Sequence, residues 1–296
     1  MHDIVIIGGG PAGLTAAIYG VRANKDVLVL ESTSCGGQII NTSYIDNYPV
    51  APHITGLEFS QSLEKQAEEL GAKVDYDYVL HIDPIEGGFE VTTDDEKLTT
   101  KTVIIATGTT PRKLRVENED RFMGRGVSYC ATCDGHFFKD QPVAVVGGGN
   151  SAAHEALYLS DLASKVYLVH RRGELRADDS KVEKLQAKEN IELVLEANIV
   201  EIHGDDKLQS IKLEDGRELE VSGLFVSIGR EPNVGALIEG LNLDEKGYIV
   251  ADEKCTTNIP GIFVAGDVRT KELRQLVTAT SDGAMAATAA INYMVQ

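Results

Sequence analysis

The sequence predicts an α/β protein of two doubly wound modules, the first interrupted by the second. Two observations carry this reading. A run of strand, glycine turn, helix and strand opens the chain, and the same run returns after Gln141. With 296 residues, 43% of them hydrophobic, the chain is also long enough to bury two cores.

Taken in order, Asp3 to Ile7 reads as an apolar strand, Gly8 to Gly13 as a glycine turn, and Leu14 to Ala23 as a small-residue helix. Val27 to Leu30 is a second strand, closed by Glu31. In the second copy Pro142 to Val146 is the strand, Gly147 to Ala152 the turn, Ala153 to Leu162 the helix and Lys165 to Val169 the closing strand. From first glycine to the residue closing the second strand is 23 positions in both copies, Gly8 to Glu31 and Gly147 to His170. Such a match argues for a duplicated Rossmann-like βαβ unit rather than coincidence. Between the copies, Phe89 to Thr93 and Thr102 to Ala106 read as strands, and Thr107 to Pro111 as a loop leaving the first domain. Leu224 to Ile228 is a strand ended by Gly229, Arg230, Glu231 and Pro232, and a loop-rich second crossing is expected from about Asn233 to Leu243. Ile262 to Ala265 is a short strand capped by Gly266 and Asp267, and Gly283 to Met294 is an alanine-rich helix expected to pack on the first domain. The expected division is a discontinuous domain of residues 1–111 and 243–296 with a domain of residues 112–242 inserted in it.

Lys and Arg total 28 against 46 Asp and Glu, a formal charge of −18. That balance repels nucleic acid and anionic membranes, so neither is expected as a partner. Met1 and His2 lead directly into a strand with no basic leader or bilayer-length apolar stretch, which reads as a soluble cytoplasmic protein. Four cysteines are too few for a disulfide scaffold. Cys35 and Cys255 read as small buried hydrophobes.

At the first turn Gly8 allows the tight bend, Gly10 lets the backbone approach a pyrophosphate, and Gly13 lets the helix lie close to the strand. The helix N-terminus then faces the phosphates. Glu31 stands where a carboxylate accepts from ribose hydroxyls, so FAD or NAD fits here. In the second copy Gly147, Gly149 and Ala152 hold the fingerprint positions, but His170, Arg171 and Arg172, with Arg176 nearby, replace the acid. Guanidinium groups match a 2′-phosphate that a carboxylate would repel, which predicts NADPH over NADH. Asp178 and Asp179 stand close enough in sequence to pair with these arginines and weaken that prediction.

Cys130 and Cys133 form a C-x-x-C pair followed by Asp134. A zinc site needs a second ligand pair, and none appears; His136 has no obvious partner. A structural disulfide closing so short a loop constrains the unfolded chain little. Redox cycling remains, one sulfur attacking a partner's disulfide and the other resolving the mixed disulfide. Asp134 is the candidate proton carrier, against the alternative of an exposed turn aspartate before Gly135.

GGGPAG at Gly8 to Gly13, GGQ at Gly36 to Gln38, ATG at Ala106 to Gly108 and YCATCDG at Tyr129 to Gly135 occur with GGGNSA at Gly147 to Ala152, HRRGELRA at His170 to Ala177 and GIFVAGDV at Gly261 to Val268. Over essentially its whole length the chain closely resembles the bacterial-type, low-molecular-weight thioredoxin reductases, of the pyridine nucleotide-disulfide oxidoreductase family. The resemblance implies a homodimeric enzyme in which NADPH reduces FAD, FAD reduces the Cys130/Cys133 disulfide, and the dithiol reduces thioredoxin. By the same resemblance Cys133 is the thiol facing flavin, Cys130 the thiol that meets thioredoxin, and Asp134 the proton donor. It assigns FAD contacts to the first turn, including Pro11 and Ala12, to Gly37, Gln38 and Asn47, and to Thr107 and Gly108. Asp267 after Gly266 would hold a ribityl hydroxyl, with Arg274, Gln275 and Leu276 beside the isoalloxazine. Asn150 and Ser151 join the NADPH turn. Family enzymes rotate the inserted domain, and the crossings near Pro111 and Gly240 would be the hinges.

The chain departs from the family pattern at Leu175, usually Phe, and at His154 and Ala153, where Val and Glu are common. Cys35 before Gly36 is also unusual, and a place near the flavin would make it a target for oxidation. Rival readings are a similar reductase serving a peroxiredoxin or glutaredoxin-like protein, one drawing electrons from ferredoxin, and a flavoprotein oxidase or redox-sensing module.

Overall fold

The computed structural model describes every residue except Ser43, Ala236 and Gln296. The chain forms two compact units, Met1–Thr110 with Glu231–Gln296, and Pro111–Arg230. The first begins with β1 (His2–Ile7), α1 (Pro11–Arg22), β2 (Val27–Glu31), α2 (Gly56–Glu69), β3 (Lys73–Tyr76), β4 (Val79–Ile85), β5 (Gly88–Thr93) and β6 (Lys97–Ile105). After β7 (Thr109–Pro111) come β8 (Val127–Ser128), α3 (Ala131–Asp134), β9 (Pro142–Val146), α4 (Asn150–Ser160), β10 (Lys165–Val169), α5 (Asp179–Gln186) and β11 (Ile191–Val194). Then follow β12 (Ile199–Gly204), β13 (Leu208–Leu213), β14 (Glu218–Glu220), β15 (Gly223–Val226) and β16 (Arg230–Pro232). The chain ends with β17 (Ile262–Val264) and α6 (Leu276–Tyr293).

In the first unit β3, β2, β1, β6 and β17 run parallel, while β5 and β4 return antiparallel. Long β6 serves both parts, pairing with β5 through residues 97–100 and with β17 through 103–105. The unbroken apolar run of β1 is explained by burial on both faces, the rule for parallel strands. Ile4 and Ile6 pack with Leu14, Ala16 and Ala17 of α1 and Ala286, Ala287 and Ala290 of α6, while Val5 and Ile7 share the opposite core with Leu28, Val103 and Ile262. Small residues let the two helices touch, since a side chain on Gly283 would collide with the Ala12 carbonyl. At α2, Thr55 accepts from the Glu58 N–H at 3.1 Å while the Glu58 carboxylate accepts from the Thr55 N–H at 3.0 Å, a capping box closing the helix start.

The second unit holds an all-parallel sheet in the order β11-β10-β9-β15-β8, beside an antiparallel sheet of β12, β13 and β14. Strand order reverses between β9 and β15, which opens a crevice at their carboxyl ends, where doubly wound folds take ligands.

Four boundaries differ from expectation. Helices α1 and α4 start inside the glycine motifs, at Pro11 and Asn150, and α6 starts at Leu276 rather than Gly283. The second crossing falls between Arg230 and Glu231, ahead of the loop-rich segment near Asn233 to Leu243. Val234 and Leu237 are buried in the first unit's core, and the Gly240 carbonyl accepts from Asn258 at 2.8 Å, so this segment belongs to that unit and Gly240 is not at the crossing.

Candidate active site

The first glycine turn has a backbone that demands glycine. Gly8 has φ +107°, and a side chain there would collide with the Ala106 carbonyl. Any Cβ on Gly13 would meet the Gly8 carbonyl, which keeps α1 tight against β1. At Gly10 the position of a side chain is open, with nothing within 4 Å, and a Cβ on Gly37 would fall 3.6 Å from the Gly10 Cα. Pro11 and Ala12 open α1, whose unpaired N–H groups face this space. Glu31 reaches back to the turn: one carboxylate oxygen accepts from the Gly9 N–H at 2.7 Å and the other from the Thr33 N–H at 3.0 Å. The hydroxyls of Ser32 and Thr33 also lie 3.4 Å from this carboxylate, long contacts that a ribose hydroxyl would replace. The Thr107 hydroxyl, next to Gly108, is buried without a protein partner. Open space at a helix start, a carboxylate beside it and an orphaned hydroxyl fit a dinucleotide.

The Gly266–Asp267 turn lies against the same helix, a Cβ on Gly266 falling 2.9 Å from that of Ala12. It is fastened by Asp282 of α6, which accepts from the Gly266 N–H at 3.0 Å, from Arg269 Nε and Nη2 at 2.9 Å each, and from Lys271 at 2.7 Å. Burial alone would push the Asp282 carboxyl up, but Arg269 and Lys271 hold it below its ordinary value. Arg274 lies 4.1 Å over the Tyr248 ring and donates to the carbonyls of Asp267, Arg269 and Lys271 at 3.0–3.2 Å. Asn47 donates to the Gln275 side chain at 3.1 Å, so two segments far apart in sequence meet. Leu276 is the first residue of α6, and Gln38 is exposed on the short helix Gly37–Asn41.

The second turn repeats the first. Gly147 has φ +154°, and here the Ser227 carbonyl bars a side chain. At Gly149 the space is open, while Ala152 is fully buried. His170 is buried with its ring over Gly148 and its Nε2 without a partner; burial, then Arg176, Arg172 and Arg171, hold its pKa below the ordinary value. Arg171, Arg172 and Arg176 are exposed, and among the described residues no carboxylate pairs with them. Asp178 is engaged elsewhere, exchanging hydrogen bonds of 2.9 and 3.0 Å with Asn150 and pairing with Lys181 at 2.7 Å, so the expected competition from Asp178 does not arise. Asp179 begins α5, and Ser151 is exposed on the first turn of α4. Three uncommitted guanidinium groups beside a glycine turn fit a phosphate-bearing nucleotide.

Cys130 and Cys133 form a disulfide at the start of α3, their Cα atoms 5.3 Å apart, and both residues are half-buried. The turn is shaped by the Cys130 carbonyl, which accepts from the Cys133 and Asp134 N–H groups at 3.2 and 3.1 Å. Ser128 ties the parts together, donating to Asp134 Oδ2 at 2.7 Å and accepting from the Cys130 N–H at 3.1 Å. Asp134 is not an exposed turn residue: its Oδ1 is buried without a hydrogen-bond partner, and burial pushes its carboxyl above the ordinary value despite the Ser128 bond. A carboxyl whose proton affinity is raised beside a disulfide suits proton transfer to a leaving sulfur.

A sequence model of the pyridine nucleotide-disulphide oxidoreductases matches residues 2–283. The chain belongs to that family. Within it the chain falls in the thioredoxin reductase branch. It is 42% identical to the thioredoxin reductase of Treponema pallidum over 299 residues, covering 99% of this chain and 97% of that protein. Identity to the thioredoxin reductase of Peptoclostridium litorale is 43% over 313 residues, again with 99% and 97% covered. The crystal structure of thioredoxin reductase from Streptococcus pyogenes superposes with a TM-score of 0.95 at 40% identity, covering 100% of this chain and 98% of that one.

Sequence reasoning on this disulphide oxidoreductase missed the Arg269, Lys271, Asp282 cluster and the Ser128 link. A signal for the first was present, since Asp282 is the one charged residue in α6, an otherwise small and apolar helix. Cys35 does lie near the first turn, its sulfur 2.7 Å from where a Gly9 Cβ would be. Burial, then Glu64, pushes that thiol up to about 12, which disfavours the thiolate that an oxidant attacks. Cys255 is buried, its thiol 3.6 Å from the Asp282 carbonyl. No group of three His, Cys, Asp or Glu able to hold a metal, and no helix long and apolar enough to cross a membrane, occurs among the described residues.

Proposed function

We propose that the protein is an NADPH-dependent, FAD-containing thioredoxin-disulfide reductase, acting as a cytoplasmic homodimer. The observation that carries the reading is the Cys130–Cys133 disulfide with Asp134 buried beside it, in a unit that also bears a glycine turn and three uncommitted arginines. In the first unit Gly8, Gly10, Pro11, Ala12 and Gly13 would cradle the FAD pyrophosphate and Glu31 a ribose. Gly37, Gln38, Asn47, Thr107, Gly108, Gly266, Asp267, Arg274, Gln275 and Leu276 would line the remainder. In the second unit Gly147, Gly149, Asn150, Ser151 and Ala152 would receive the NADPH pyrophosphate, with His170, Arg171, Arg172 and Arg176 around the 2′-phosphate. FAD, when bound, supplies the two-electron reduction that converts the disulfide to a dithiol at the expense of NADPH.

The chain's own sulfurs do the rest. The Cys130 thiolate attacks one sulfur of the thioredoxin disulfide, forming a mixed disulfide as the second thioredoxin sulfur leaves with its electron pair. Cys133 then attacks Cys130, remaking the internal bond and releasing reduced thioredoxin. Asp134, whose burial raises its carboxyl above the ordinary carboxylate value, delivers a proton to a leaving sulfur. The test is NADPH consumption with thioredoxin and insulin present, against consumption in air alone. Consumption that depends on thioredoxin is expected; equal rates in both would indicate an oxidase instead.

A further inference from the structure

We propose that Asp178 is a positioning residue for recognition of the 2′-phosphate: with Asn150 it latches the arginine loop onto the second glycine turn, so that a carboxylate strengthens the binding of an anion it never touches. The inference rests on reading the Pro111–Arg230 unit as the NADPH site. Residues 170–178 join β10 to α5 and carry Arg171, Arg172 and Arg176. The first half of this loop is held by the segment after β11, where the Ala197 and Glu196 N–H groups donate to the His170 and Arg172 carbonyls at 3.0 and 3.2 Å. The second half is held by the glycine turn itself. The Arg176 N–H donates to the Gly148 carbonyl at 2.6 Å. Asn150 then closes on Asp178 with two bonds: its Oδ1 accepts from the Asp178 N–H at 2.9 Å, and its Nδ2 donates to Asp178 Oδ1 at 3.0 Å. Only one orientation of the Asn150 amide serves both. Leu175 packs against the core and Ala177 is buried in it, so Arg176 stands between two anchored neighbours.

The carboxylate gives up its ordinary task to make this latch. Asp178 is the N-cap residue of α5, where an aspartate usually accepts from the first N–H groups of its own helix, yet no such side-chain bond forms. Its Oδ1 goes to Asn150 and its Oδ2 to Lys181, at 2.7 Å. Lys181, then Asn150, hold the carboxyl below its ordinary value, so it is ionised at neutral pH. By Coulomb's law alone, a negative charge two positions from Arg176 weakens phosphate binding. Its effect through the latch has the opposite sign. A loop ordered before the ligand arrives pays no further ordering entropy on binding, whereas a loop that samples other arrangements loses affinity by the fraction that is competent. Asn150, its side chain occupied, meets the pyrophosphate through its backbone N–H at the start of α4. Both latch residues are exposed, so replacing Asp178 leaves the core of the unit intact.

The test is calorimetric binding of 2′,5′-ADP to the oxidised holoenzyme and to its Asp178→Ala and Asp178→Asn variants, with Michaelis constants for NADPH and NADH measured on the same proteins. Asp178→Ala removes the latch and the charge together. It should weaken 2′,5′-ADP about three- to tenfold, raise the NADPH Michaelis constant by a similar factor and leave that for NADH nearly unchanged. Asp178→Asn removes the charge but keeps an oxygen for Asn150 Nδ2, and should bind 2′,5′-ADP at least as tightly as the unmutated protein. Tighter binding by both variants would make Asp178 a repelling charge only and overturn the proposal. A loss shared equally by NADPH and NADH, or one that Asp178→Asn does not rescue, marks a merely structural role and overturns it too. If Asp178→Ala does not fold, hydrogen exchange of the unmutated holoenzyme decides: the Arg176 and Asp178 amides should be protected before nucleotide is added, and amides that exchange freely until 2′,5′-ADP binds contradict the latch. Failure of the unmutated protein to bind either 2′,5′-ADP or NADPH overturns the assignment of the unit, and this inference with it; binding that Asp178→Ala leaves undiminished overturns this inference alone.

Discussion

Replacing Asp282 by alanine should loosen the first unit and its nucleotide turn together. The side chains of Arg269, Lys271 and Asp282 are only 7–8% exposed, so the substitution strands two cations away from water. Removing one partner of a buried ion pair costs about 3–5 kcal/mol, and leaving the Gly266 N–H unmatched adds on the order of 1 kcal/mol. These terms share one site and do not add fully, so a loss of about 4 kcal/mol is expected. Asp282→Asn keeps an acceptor for Gly266 and should lose less. The assay is urea unfolding of each variant alongside titration with FAD, since the same carboxylate fastens the Gly266–Asp267 turn. The pH dependence has a definite sign. Because the folded pKa of Asp282 lies below its ordinary 3.8, the contribution is complete above that value and is lost as pH falls through the lower folded pKa. The gap between Asp282→Ala and the unmutated protein should therefore shrink in strong acid. A loss under about 1 kcal/mol at neutral pH with FAD affinity unchanged would refute the reasoning.

Cys130→Ser should abolish thioredoxin reduction yet keep NADPH-driven flavin bleaching, and equal loss of both would contradict the division of labour between the sulfurs. Replacing Arg171 and Arg172 together by alanine should raise the NADPH Michaelis constant about tenfold or more while barely moving that for NADH; a parallel loss would reject the 2′-phosphate assignment. Asp134→Asn should slow dithiol turnover by about a hundredfold, read by stopped-flow mixing with thioredoxin. Since the folded pKa of Asp134 is raised, the unmutated protein gives up stability as pH climbs from 3.8 through that value. Unfolding curves should then show Asp134→Asn gaining relative stability from pH 4 to pH 8, and no relative gain would argue against a carboxyl raised by burial.

What the sequence made legible follows from how local each signal is. Gly8, Gly10, Gly13 and Glu31 belong to one short βαβ unit whose turn, helix and carboxylate are built from neighbours, and the same holds for Gly147 to Arg172. The second crossing misled because Gly229, Gly235 and Gly240 punctuate the chain like a linker, whereas the core that holds Val234 and Leu237 includes Val79, Ile82 and Val103, more than a hundred positions away. Helix starts were read late because Pro11 and Asn150 look like turn residues, though proline is favoured at a first helical position. Helix α2 went unread although Thr55 and Glu58 carry the capping-box pattern. The burial of Asp134 and the fastening of Gly266 by Asp282 depend on tertiary packing, to which residue order gives little direct access.

The central claim is that reducing equivalents from NADPH arrive at Cys130 and Cys133. Its most direct test is anaerobic addition of NADPH to the FAD-reconstituted protein, followed by alkylation and mass spectrometry. The account predicts a yellow protein in which NADPH makes Cys130 and Cys133 alkylatable while Cys35 and Cys255 stay protected. A colourless protein that does not take up FAD, or a flavin bleached by NADPH with the Cys130–Cys133 bond left intact, would contradict it.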